Sequence, residues 1–143
     1  MEKELNVLLS DLVVFSHKIQ SFHWYIKGIS FFQSHLKLEK LYDEASEHAD
    51  IVAEAMLMCN LHPYSRLEDF MKTTKIKESK GDYIEISEAY KTLFEDYKYL
   101  LDSVKNVKSL ADKENNYLIS TKMDDLITAY SKTIWMLTQT IMK

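Results

Sequence analysis

SFHWYIKGISFFQSHLKLEKLYDEASEHADIVAEAML, residues 21–57, carries two histidines, His23 and His35, followed by Glu39, Asp50 and Glu54. From Phe32 to about Asn60 the apolar residues recur at helical spacing. Leu38, Leu41, Tyr42, Ala45, Ala49, Val52, Met56 and Leu57 are expected on the buried side of that helix. At about 100° per residue, His35, Glu39, Asp50 and Glu54 fall at roughly 0°, 40°, 60° and 100° around its axis. Imidazole and carboxylate are ligands that iron and similar divalent metals accept. Four such groups on one stripe point to a metal site.

A single straight helix cannot close that site. At about 1.5 Å of rise per residue, Glu39 and Asp50 stand about 16 Å apart along the axis, and His35 and Glu54 nearly twice that. The His35/Glu39 end must meet an Asp50/Glu54 end from elsewhere. A second copy of the chain, antiparallel across a twofold axis, supplies it most economically. The spacing therefore predicts a dimer interface as well as a metal, with two equivalent sites per pair.

Composition bounds the rest. A chain of 143 residues is long enough for one domain with a sizeable core, and a single domain over 1–143 is expected. Two glycines and one proline argue for an all-α protein with few tight turns. One cysteine, Cys59, excludes an intrachain disulfide and fits a reducing compartment. The N-terminus MEKELNVLLSDLVV lacks the features of a secretory leader. No apolar run approaches the roughly 18 residues of a membrane span. A cytoplasmic location is the expectation. The net charge of −4 makes nucleic acid an improbable partner, and no lysine-rich arm precedes the first helix.

The helical patterns number four. The first runs from about Glu4 to Ile26 and breaks at Gly28; the second ends at NLHPYS, with Pro63 as its stop signal. A short helix fits Leu67–Met71, followed by the polar connection KTTKIKESKGD with Asp82 as a possible N-cap. The third helix is expected over about Ile84–Ala111 and the fourth over about Tyr117–Ile141. Four long helices with one long link between the second and third make a bundle with one crossover, the ferritin-like arrangement.

FHWYIKG (22–28), LEKLYDEA (38–45) and DIVAE (50–54) together resemble the signature of the Dps family, the mini-ferritins. HPYSRLEDFMKTTKIKES resembles that family's short helix in the second connection, and TIWML its last helix, so the resemblance covers nearly the whole chain. It implies a ferroxidase centre at the subunit twofold, with His23, His35 and Glu39 from one subunit and Asp50 and Glu54 from its neighbour. It further implies a hollow homododecamer that oxidises Fe(II) with hydrogen peroxide or dioxygen, stores ferric mineral and protects against oxidative stress. Zn(II) is expected to occupy such a site in vitro, because the affinity order favours it over Fe(II). Trp24, beside His23, reads as a packing aromatic or, on the family's pattern, as a redox-active ring. The chain departs from the family at Glu39, where many members carry Asp, and at MCNLHP, where a Gly-Gly pair is common. Asp112, Glu114, Asp124 and Asp125 are the acids available for a pore near the start of the last helix.

Other side chains have plainer readings. Asp43 lies near the ligand stripe and reads as a solvated interface residue. His48 lies on another face and reads as packing or surface, and His17 and His62 as non-ligands. Trp135 reads as core, Cys59 as a buried small hydrophobe, and Lys72, Lys75, Lys77 and Lys80 as a solvated connection. Three alternatives to iron storage stand: a DNA-compacting protein of the same fold, a purely structural bundle, and a bundle-internal di-iron enzyme. The last requires Glu-x-x-His within helices, which the sequence lacks.

Overall fold

The computed structural model describes residues 1–142. Its elements are α1 (Glu2–Tyr25), β1 (Ile26–Lys27), α2 (Phe31–Met58), α3 (Leu67–Thr73), β2 (Ile84–Glu85), α4 (Ile86–Lys113) and α5 (Tyr117–Ile141). Helix α1 packs along α2 and α4 along α5; α1 also meets α4 and α2 meets α5, which closes a four-helix bundle. The fully buried Leu5, Leu8, Leu12, Phe15 and Ile19 repeat in alternating steps of three and four along α1. Leu93, Tyr97, Leu100, Val104 and Val107 do the same along α4. That repeat averages 3.5 residues per turn and favours the shallow crossing of about 20° that four-helix bundles use.

Both long hairpin helices end on asparagine. Asn60 and Asn115 adopt left-handed backbone (φ 59 and 56), the conformation glycine usually supplies at a helix C-terminus. Leu61 N–H then donates to Met56 O at 2.9 Å, and Asn116 N–H to Ala111 O at 2.8 Å. So α2 ends at Met58 and the chain turns at Asn60, three residues before Pro63. Asn116 caps α5 through its side chain, accepting from Ile119 N–H at 3.1 Å.

The connection from α2 to α4 crosses the bundle's length. Parallel pairing of Ile26 with Ile84 and Lys27 with Glu85 ties its far end to the α1–α2 turn. Gly28 sits in that turn at φ +143, and an added Cβ there would lie 3.2 Å from Ile86 Cδ1. The near end is held by Asp11, fully buried on α1, which accepts from Thr74 Oγ1 and Lys75 N–H at 2.7 Å each and from Tyr99 Oη.

Four expectations need correction. Trp135 and Leu57 are exposed, not core, because each falls on the side of its helix that none of the described residues covers. Asp82 does not cap α4: the helix begins four residues later, and Asp82 Oδ1 accepts from its neighbour Tyr83 N–H. Cys59 is only partly buried, and its thiol lies against the Asn116 side chain. Of the two readings of His48, packing or surface, packing holds: it is buried, and its Nδ1 lies 2.9 Å from Tyr130 Oη.

Candidate metal centre

The last turn of α1 carries His23, and the second turn of α2 carries His35. The short turn between the helices folds one back along the other, so the two imidazoles meet. Their rings stack at 3.6 Å between centroids with 15° between planes. His23 Nδ1 lies 2.7 Å from His35 O, and His35 Nδ1 lies 2.8 Å from His23 O. A carbonyl oxygen only accepts, so both Nδ1 atoms carry the hydrogen. In the neutral ring each Nε2 then keeps its lone pair, as metal ligation requires.

Two further rings bracket the pair. Phe31 stacks on His35 at 5.1 Å, and Tyr42 meets His23 edge-on at 5.4 Å. His23 is buried, whereas His35 is half-buried. Phe31 precedes His35 by four residues, one helical turn, and that spacing was the available signal for the contact. Tyr42 gave none, because its partner lies on another helix.

The carboxylates stand apart from the imidazoles. Glu39 follows His35 by one turn and is exposed; Asp50 and Glu54 are exposed farther along α2. Among the described residues, no three His, Cys, Asp or Glu side chains converge to hold a metal ion within one chain. The histidine pair is assembled; the carboxylates that follow it in sequence are not brought to it. Trp24 is 56% exposed, and its ring lies edge-on to His17 at 6.1 Å. Of the acids near the last helix, Asp124 pairs with Lys108 at 2.9 Å and Asp112 accepts from Ser120 Oγ.

Glu44 lies inward on α2 and has one buried oxygen, Oε1, without a hydrogen-bond partner. Burial pushes its carboxyl above the usual range, against the attraction of Lys37. Burial likewise lowers His48 and raises the phenols of Tyr97 and Tyr130.

Known proteins share this architecture. The family profile of the ferritin-like domain matches residues 2–143, so the chain is a ferritin-like protein. Within that class it belongs to the Dps family. The DNA protection during starvation protein of Helicobacter pylori is 32% identical over 133 residues, covering 93% of this chain and 92% of the relative. Antigen TpF1 of Treponema pallidum superposes with a TM-score of 0.97 at 27% identity, over 99% of this chain and 91% of that one. A Dps protein of Bacillus brevis gives 0.94 at 29% identity, over 99% and 94%. The Dps protein of Vibrio cholerae, at 0.94 and 28% identity over 99% and 88%, is described as one of the ferritin-like diiron-carboxylate proteins. Iron storage and DNA protection are the general business of this family. No helix among the described residues is long and apolar enough to cross a membrane.

Proposed function

We propose that the chain is a ferroxidase whose metal site is shared between two subunits. His23, His35 and Glu39 come from one subunit, and Asp50 and Glu54 from its twofold neighbour. The observation that carries this reading is the reciprocal histidine pair: two imidazoles with free Nε2 atoms and, among the described residues, no carboxylates of the same chain converging on them. Glu39, Asp50 and Glu54 are exposed on α2, where a second copy can reach them.

Fe(II) is the substrate. Imidazole nitrogen suits Fe(II), and carboxylate oxygens stabilise the extra charge of Fe(III). When hydrogen peroxide is the oxidant, two Fe(II) each give one electron, and peroxide with two protons leaves as two waters. Two-electron reduction avoids releasing hydroxyl radical. Fe(III) then hydrolyses, and its mineral collects inside a hollow shell of twelve subunits. In this reading Trp24, exposed and next to His23 in the sequence, gives up an electron to any stray oxidant. The Dps protein of Listeria innocua has been soaked with zinc and with cobalt, metals with which the site here can be probed.

Anaerobic Fe(II) loading followed by peroxide, with absorbance and particle mass read on one sample, tests this. Rapid stoichiometric Fe(III) formation in a particle of about twelve subunits is expected. Oxidation no faster than in a His35→Ala/Asp50→Ala double variant would sink the reading. Protection of DNA then follows from removal of iron and peroxide. Direct DNA contact is the second reading, favoured by the names of the relatives but opposed by a net charge of −4.

A further inference from the structure

Between α1, α4 and the crossover connection lies a cavity of about 1010 Å³ that the ferroxidase reading does not use. The crossover forms its outer wall as a strap fixed at three places. Asp11 holds Thr74 and Lys75, Ser21 Oγ lies 2.6 Å from Ser79 Oγ, and the Ile26–Ile84 pairing closes the end. The cavity is therefore built into the fold, as small-molecule sites usually are.

Its walls include a buried ion pair, Lys18 Nζ to Asp96 Oδ2 at 2.7 Å, with Lys18 only 5% exposed. An ammonium has three donors. Among the described residues Asp96 is the one partner of Lys18, so donors remain for a ligand. Asp96 is incompletely compensated in turn: burial holds its carboxyl above the usual range despite Lys18. Five lysines and five carboxylates line the cavity, so its charges cancel and a polyanion gains nothing by entering. Phe22, Ile76, Ile84 and Tyr99 contribute apolar surface.

We propose that this cavity binds a free α-amino acid with a large apolar side chain, its carboxylate on Lys18 and its ammonium on Asp96. An isolated carboxylate at Lys18 would sit beside Asp96, and an isolated amine at Asp96 beside Lys18; each meets a like charge at close range. An α-amino acid carries both charges on one carbon, and the two members of the ion pair are adjacent in the same way. A longer zwitterion, with its charges far apart, does not match them. The apolar walls then take the side chain.

L-phenylalanine is the probe, titrated calorimetrically into the assembled protein. 3-Phenylpropionate and 2-phenylethylamine keep the ring and lose one charge each. Saturable binding of L-phenylalanine, at least about tenfold tighter than either analogue, is expected. A Lys18→Met/Asp96→Leu variant removes both charges together and avoids leaving one buried ion alone; it is expected to melt cooperatively and to bind no L-phenylalanine. No saturable binding, equal binding of an analogue, or unchanged binding in the double variant each overturns the proposal. Should that variant not fold, a crystal of the wild-type protein soaked in L-phenylalanine decides: density against Lys18 and Asp96 supports the site, and density elsewhere or none overturns it. Iron oxidation is read in neither experiment, so failure here leaves the ferroxidase reading untouched.

Discussion

His23 and His35 each hydrogen-bond the other's backbone carbonyl, at 2.7 and 2.8 Å, while their rings stack at 3.6 Å. Each side chain thus fixes the tautomer of its own ring on an acceptor that belongs to the main chain of its partner. Replacing one histidine removes one ligand and leaves the acceptor for the other in place.

Single substitutions should accordingly weaken metal binding without scrambling the surviving imidazole. His35→Ala is expected to lower Co(II) affinity at least about tenfold, with the remaining Co(II) spectrum still showing a nitrogen ligand. Because His35 is half-buried, the melting temperature should move little; His23→Ala, at a buried position, should lower it more. Unchanged Co(II) affinity in both variants would remove these residues from the site.

Sharing between subunits has a sharper consequence. A His35→Ala chain paired with an Asp50→Ala chain places both defects in one site and leaves the other complete. When equal amounts of the two are refolded together, half of the dimers are mixed and each has one intact site. About a quarter of wild-type activity should therefore return from two inactive parents. No recovery, with mixed assembly verified by mass, would mean that the ligands come from one chain.

Asp11 should be a point of failure for the crossover. It is fully buried and accepts from Thr74, Lys75 and Tyr99. Asp11→Ala orphans those donors and is expected to cost about 3 kcal/mol in urea unfolding. Proteolysis of the native protein should then shift to the segment 74–83. A loss below about 1 kcal/mol would show that water replaces the carboxylate without difficulty.

Glu44 gives a pH signature. Its carboxyl is raised above the ordinary 4.5, first by burial. A group raised in the folded state binds its proton more readily there than when unfolded. The charged form therefore costs stability at neutral pH, and that cost disappears as the pH falls through the folded value. Glu44→Gln should stabilise the protein by about 1 kcal/mol at pH 7, since the amide buries no charge. The advantage should shrink from pH 7 to acid pH, as the buried carboxyl takes up its proton. Melting curves at both pH values check it, and an advantage that grows toward acid would contradict the assignment.

Much of this was legible in residues alone. Apolar steps of three and four wrote out the four long helices, and two glycines with one proline left little room for anything else. The end of α2 near Asn60 was legible, but its cause was not: Pro63 looked like the stop signal, whereas Asn60 itself makes the turn, because an asparagine can take the left-handed backbone that ends a helix. Trp135 and Leu57 carried a core composition but face outward, since helical period fixes which residues share a side and not which side is covered.

For the candidate site, sequence determined the donor types, their common stripe on α2, and the separation that no single helix can close. Those follow from the fixed rise and turn of an α-helix. Tertiary structure decided what depends on two helices meeting: the crossed Nδ1 bonds of His23 and His35, the Phe31 and Tyr42 rings around them, and the Lys18–Asp96 pair at the cavity wall. Such contacts are set by the turn between helices and the path of the crossover, and neither is written in the period of any one helix.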